Sequence, residues 1–243
     1  RREETPRSLS MPSQIIPVLV SANGEWEAVK AILQPTLIQQ STLGAYFQID
    51  LDGQPCLFFH SGWGKIATAA STQYVIDQYH PELIINIGTC GGFLGFSEVG
   101  EILLVSETLI YDIVERMDDP FAAINHYRTE ADTSWITNPL PAGTRRARIA
   151  SADQDIDFRA YDLLTNTHQA AAADWETGAF AWVAARNHTA WLALRGVSDL
   201  VTPHASETDS GVELWRSRLT DLMRKLLTDL PFYFSEFKKY VLP

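Results

Sequence analysis

Leu83-Ile84-Ile85-Asn86-Ile87-Gly88-Thr89-Cys90-Gly91-Gly92-Phe93 decides the fold class. Its first half is a short apolar, β-branched run, which predicts a strand over 83–89, and the glycines that follow predict a turn at its carboxyl end. Working outward, similar runs occur at 15–21 (IIPVLVS), 45–51, 56–61 (CLFFHS), 102–107, 147–152 and 190–197. Helical patterns begin between them near Glu25, Lys65, Asp174 and Gly211. Strands alternating with helices specify an α/β fold around a largely parallel sheet, with seven strands in one sheet. In the last helix Val212, Trp215, Leu219, Leu222 and Leu226 recur at steps of three and four. They form one apolar stripe, expected to lie on the sheet.

Composition narrows the partners. The chain has 243 residues, 30 acidic against 19 basic, for a formal charge of −11. Such a chain lacks the cationic footprint of a protein that binds nucleic acid or an anionic membrane surface. No apolar run reaches the ~18 residues of a membrane helix. Residues 1–12 are polar and read as a flexible tail, and 13–243 as a single domain. Cys56 and Cys90 show no metal spacing and no disulfide framework, which fits buried thiols in a reducing cytoplasm. Between Asp112 and Arg145 the pattern weakens, and Phe121, Tyr127 and Trp135 stand among polar residues and prolines. A stretch of that length is expected to bind something, join subunits or cover the sheet.

Familiar cofactor signatures fail. Gly62-Trp63-Gly64-Lys65-Ile66 lacks the spacing and hydroxyl of a P-loop, and Gly88 to Gly92 lacks the spacing of a dinucleotide fingerprint. Asp153, Asp155 and Asp157 alternate as calcium ligands do, yet Phe158 stands where a calcium loop turns on glycine. No metal and no cofactor is assigned. Polar residues instead gather at the carboxyl ends of predicted strands, where open α/β sheets bind ligands. They are Ser21 to Glu27, Ser61 to Lys65, Asn86 to Gly92 and Arg195 to Asp199. Each has a plainer reading: Asp199 can cap a turn, and Glu25 can be a first-turn helix acid.

The order and wording of these segments resemble the nucleoside phosphorylase and nucleosidase superfamily over about 15–230. The segments are GWGKIATAAS (62–71), PELIINIGTCGGF (81–93), EVGEILLVSE (98–107), DWETGAFAWVAA (174–185) and LRGVSDL (194–200). The resemblance implies a three-layer α/β/α fold with a central, largely parallel (mixed) sheet, phosphorylase/hydrolase-like. By the same resemblance, Thr89, Cys90 and Gly91 line the ribose and nucleophile site, Trp175 and Glu176 hold the sugar, and Asp199 with Ser198 protonates the leaving base. A Glu of the first loop activates water. That loop aligns only with a one-residue shift, so Glu25 and Glu27 are both candidates, with Glu25 preferred as nearer the strand end. Asp153 and Ile156 fall in the segment that contacts adenine, where the family's stacking aromatic is replaced by Asp155.

Within the family, hexameric bacterial phosphorylases typically carry an arginine where this chain has Asn86. The segment most resembles methylthioadenosine/S-adenosylhomocysteine nucleosidases, which use water in place of phosphate, although Lys65 or Arg116 could supply charge for phosphate. The expected activity is therefore hydrolysis of an adenosine-type nucleoside. Phosphorolysis, cleavage of another modified nucleoside such as futalosine, and a non-catalytic binding or storage role are the alternatives. The chemistry needs an Asp199 that is protonated near neutrality, for which burial is the lever. The resemblance also implies at least a homodimer.

Overall fold

The strand read at 83–89 does not stop at its glycines. In the structure, a computed structural model describing residues 14–205 and 212–241, it runs to Phe93. The expected tail at 1–12 lies outside the described residues.

The chain starts with β1 (Ile16–Val20) and α1 (Asn23–Leu33), then β2 (Gln39–Gln40), β3 (Ala45–Leu51) and β4 (Gln54–His60). Next come α2 (Gly64–Tyr79), β5 (Leu83–Phe93), β6 (Ile102–Ile110), the short α3 (Ala122–Tyr127) and β7 (Thr129–Glu130). The remainder holds β8 (Thr144–Ser151), β9 (Ala172–Asp174), α4 (Thr177–Arg186), β10 (Ala190–Val201) and α5 (Val212–Val241). All seven expected strands are present. The short β2, β7 and β9 raise the sheet to ten strands.

β5 lies between β1 and β10 in parallel register, with Ile85 opposite both Val18 and Leu192. The sheet is mixed, because β10 runs antiparallel to β6, β3 to β4, and β5 to β9. The order β10-β6-β8-β9-β5 closes on itself through the β10–β5 pairing. Half of the sheet is thus a ring of strands, and the other half an open wing.

Helices cover both faces, giving three layers. On one face, Trp26 and Val29 of α1 and Leu219, Leu222, Leu226 and Tyr233 of α5 cluster with Val18, Phe58, Ile85 and Leu192. On the other, Val75 and Ile76 of α2 and Phe180, Val183 and Ala184 of α4 cluster with Leu19, Leu57, Ile84 and Trp191. Adjacent residues Ile84 and Ile85 are both fully buried, one toward each layer, which is why the strand reads as an unbroken apolar run. The α5 stripe continues past Leu226 to Phe234 and Phe237 through Pro231. The Val212 side chain lies outside what is described.

Cys56 and Cys90 are buried free thiols. The aromatics of 112–145 divide. Trp135 is buried against Phe237 with ring centroids 5.3 Å apart, and Tyr127 lies 5.2 Å from Trp182, whereas Phe121 is exposed.

Candidate active site

The glycine-rich segment behaves differently from the turn its composition predicts. Residues 88–93 are strand because β10 keeps pairing with them, from Arg195 opposite Gly88 to Val201 opposite Phe93. Side chains from neighbouring elements crowd against them. A Cβ on Gly88 would sit 3.0 Å from both carboxylate oxygens of Glu25, and one on Gly91 would meet Ile156 Cδ1 at 2.6 Å. These glycines allow close approach rather than a reversal of the chain.

Glu25 reaches this strand from the first turn of α1. Its Oε1 accepts from the Thr89 backbone N–H at 2.6 Å and from Thr89 Oγ1 at 2.8 Å, and its Oε2 accepts from the Ala22 N–H at 3.2 Å. The side chain therefore caps the helix and also binds the central strand. Burial pushes its pKa above the usual carboxylate range, against the pull of the Arg195 guanidinium and the Thr89 bonds. Glu27, the other candidate, is not brought here. Two residues along a helix differ by about 200° in direction, so Glu27 faces solvent and pairs with Lys30 at 2.8 Å. Trp215, on α5, donates its indole N–H to Thr89 Oγ1 at 3.1 Å.

Asp199 meets the same strand from β10. The β10–β5 register shifts between Val197 and Asp199, leaving Ser198 as the extra residue of a bulge. Ser198 Oγ donates to Asp199 Oδ1 at 2.5 Å and lies 3.2 Å from the Cys90 carbonyl. Asp199 Oδ2 is 3.4 Å from where a side chain at Gly91 would begin. Both residues are buried. Thr89, Cys90 and Gly91 thus run from the Glu25 carboxylate to that of Asp199, with Ile156 against Gly91. Burial raises the Cys90 thiol well above its ordinary pKa, and the charges of Asp174, Asp199 and Glu25 push it the same way while Arg195 opposes them.

Glu176 stands just before α4, and its Oε1 accepts from the Gly64 N–H at 2.9 Å. That N–H points inward because Gly62 and Gly64 both have left-handed backbones, φ +82° and +77°. Burial pushes Glu176 up to about 8, helped by the charge of nearby Asp174 and opposed by the Gly64 hydrogen bond. Trp175 beside it is half-buried. Asp153 is tied to α2: its Oδ1 accepts from the Lys65 backbone N–H at 2.8 Å, and its Oδ2 is 3.6 Å from Lys65 Nζ. Asp112 takes the same Lys65 ammonium and also the Asp153 N–H. Arg116 is exposed.

Sequence reasoning placed Arg195 among the strand-end polar residues but gave no role to this cation at the centre. Arg195, 2% exposed, donates from Nε to Asp174 Oδ2 at 2.6 Å and from Nη2 to Asn86 Oδ1. Asp174, expected to open a helix, ends β9 instead. Its carboxylate is consumed by Ser151 Oγ at 2.5 Å, by Thr177 and by Arg195. A signal was present: an arginine inside the apolar strand AWLALRGV must be paired if both faces are buried.

The site can thus offer two carboxylates, Glu25 and Asp199, closing on one strand, a third, Glu176, whose pKa burial raises to about 8, and one buried guanidinium among them. A family model described as the phosphorylase superfamily matches residues 18–230. A 5′-methylthioadenosine/S-adenosylhomocysteine nucleosidase of Staphylococcus saprophyticus is 25% identical over 210 residues, 78% of this chain and 90% of that protein. One from Tolumonas auensis is 25% identical over 201 residues, 76% and 87%. The crystal structure of the Campylobacter jejuni nucleosidase of that name superposes with a TM-score of 0.74 at 17% identity, covering 93% of this chain and 100% of the other. A futalosine hydrolase mutant of Helicobacter pylori gives 0.67 at 16% identity, covering 88% and 99%. With more than four-fifths of its length matched by the family model, this chain belongs to the phosphorylase superfamily.

Proposed function

We propose that this protein is a nucleosidase that hydrolyses the N-ribosidic bond of an adenosine-type nucleoside, of the methylthioadenosine or S-adenosylhomocysteine kind. The carrying observation is that Glu25, from α1, and Asp199, from β10, both close on the short stretch Gly88 to Gly91. Breaking the bond leaves positive charge on the sugar and negative charge on the base. Asp199 gives the base its proton, directly or through Ser198. Glu25, held by the Thr89 N–H and hydroxyl and with its pKa raised by burial, orients and deprotonates water. Glu176 accepts from the ribose hydroxyls, and its anionic form favours the cationic sugar. The curated relatives above carry this activity in their names.

Lys65, one candidate for phosphate charge, stands between two carboxylates, Asp112 and Asp153, so that its surroundings are net negative, which favours water over phosphate as the nucleophile. One observation favours a second reading, cleavage of a different modified nucleoside. Asp155, at the place of the stacking aromatic, is exposed, and Phe158 lies against the cluster of Phe93, Tyr161 and Leu164.

The test incubates the protein with methylthioadenosine, S-adenosylhomocysteine, adenosine and inosine, with and without phosphate. Free base and free sugar without phosphate are expected. Sugar 1-phosphate formed only with phosphate overturns hydrolysis, and no base release from any nucleoside overturns catalysis. Asp199→Asn keeps the shape and the Ser198 contact but has no acidic proton, so it should fold and lose most base release.

A further inference from the structure

On the ring half of the sheet, β8 pairs with β6 along its whole length but with β9 only at 149–151. Over 144–147 no described strand pairs with its other edge. A cavity of about 340 Å³ opens there, and its lining includes Arg145, Arg146 and Arg148 with Glu107 as the single acid. We propose that this cavity binds a small phosphate monoester.

The arginines are arranged as donors. Arg145 sends Nη2 to the Phe96 carbonyl, across the cavity wall, and Nε to Glu101 at 2.6 Å. Arg148 donates to Glu107 Oε2 at 2.5 Å, to the His168 carbonyl at 2.6 Å and to the Gln169 amide oxygen at 3.3 Å. Its Nε is nevertheless buried with no hydrogen-bond partner among the described residues, as is His168 Nε2 on the adjoining segment. Arg146 bonds only to Thr133, at 3.2 and 3.5 Å, and forms no ion pair among the described residues. The ionised lining residues, three arginines and Glu107, sum to two positive charges; outside the lining, Arg128 pairs with Glu107 and Glu101 with Arg145, which cancel each other. Glu130, across the ladder from Glu107, is exposed and does not line the cavity.

A positive cluster in a chain of net charge −11 matters locally, because screening confines its field to about 8 Å at physiological ionic strength. Guanidinium forks match phosphate oxygens, and a dianion balances the local charge. The volume suits a small molecule, and the acidic chain repels a polyanion. Phe96, 42% exposed, and Ala147 provide an apolar wall for an organic body. The cavity is distinct from the candidate active site. Along β8, Arg148 lies about 10 Å and Arg145 about 20 Å from Ser151 at the site end. An anion held here therefore cannot attack the sugar.

The test titrates the full chain calorimetrically with phenyl phosphate, its uncharged counterpart phenol, and inorganic phosphate. Phenyl phosphate should bind saturably at millimolar concentration, phenol not at all, and inorganic phosphate more weakly. Arg145→Gln removes a half-exposed pair and leaves the fold intact. It should weaken binding about tenfold, the scale of one charge-assisted contact. Arg145→Lys should retain most affinity, and Gln169→Glu, which offers Arg148 a competing carboxylate, should weaken it similarly. Asp199→Asn should bind as wild type does. Absence of saturable binding, equal affinity in Arg145→Gln and Gln169→Glu as in wild type, or inorganic phosphate binding as tightly as phenyl phosphate each overturns the proposal.

Discussion

Arg195 and Asp174 form an ion pair closed to solvent, with side chains 2% and 3% exposed and Nε to Oδ2 at 2.6 Å. It joins β10 to β9, and the remaining donors and acceptors tie it to Asn86 on β5, Ser151 on β8 and Thr177 on α4. The candidate site is thus hung on one ion pair that links five elements, Arg195 reaching β9 and β5 and Asp174 holding β8 and α4. Two charges taken out of water need such a full set of partners, since Coulomb attraction alone does not offset their desolvation.

Removing one member strands the other. Asp174→Ala should lose about 3–5 kcal/mol of stability, the usual cost of an uncompensated buried charge. The surface pair Lys30–Glu27, with the Glu27 side chain 69% exposed, should cost under about 1 kcal/mol when broken by Glu27→Ala. Urea unfolding of both variants checks this, and equal midpoints would show that the buried pair carries no special weight.

The two first-loop acids should also separate in activity. Glu25→Gln keeps the volume in the tight space over Gly88 but cannot take a proton, and a general base contributes about 10²–10⁴ in rate. A fall of at least about 100-fold in kcat is expected, with an unchanged rate in Glu27→Gln. Steady-state kinetics on whichever nucleoside is cleaved decides it. A full-rate Glu25→Gln removes Glu25 from the chemistry.

How much of this was visible beforehand follows from what each segment signals locally. LIINI at 83–87 announces a buried strand because neither face reaches water, and the α5 stripe announces a helix by its spacing. Gly88 to Gly92 misled, since glycine marks both turns and close approach, and only the arrival of Glu25, Ile156 and β10 shows which applies. Asp174 looked like a helix opener because its partners lie up to 23 residues away, at Ser151 and Arg195. Trp215 reaches Thr89 across 126 residues. No local pattern encodes such a contact.

Glu176 gives a pH dependence with a definite sign. Burial and the charge of Asp174 raise it to about 8 from an ordinary 4.5. Between those values the native state holds a proton that the unfolded chain has released, so stability falls as pH rises through that window and levels off above it. Glu176→Gln should flatten this slope. In activity, a Glu176 that must be anionic to hold ribose gives kcat/KM rising toward about pH 8, since that ratio reports the free enzyme. Unfolding midpoints and kinetics across the window test both, and stability that climbs with pH in this range, more in wild type than in Glu176→Gln, contradicts the assignment.

Trp215 acts on the site through Thr89. Its indole N–H donates to Thr89 Oγ1, which in turn donates to Glu25 Oε1, so the tryptophan fixes the hydroxyl that holds the carboxylate. Its ring also lies where a Cβ on Gly24 would meet it at 2.6 Å, which sets α5 against the start of α1. Trp215→Phe keeps an aromatic ring in that place and deletes the donor. One hydrogen bond is worth about 0.5–1.5 kcal/mol, which corresponds to a kcat about 2- to 12-fold lower if it acts only on the base. KM should stay near wild type, because Glu25 and Thr89 remain joined by the backbone N–H bond. A raised KM with unchanged kcat would place Trp215 against the substrate instead, and loss of both together with a lowered melting temperature would make its role purely structural.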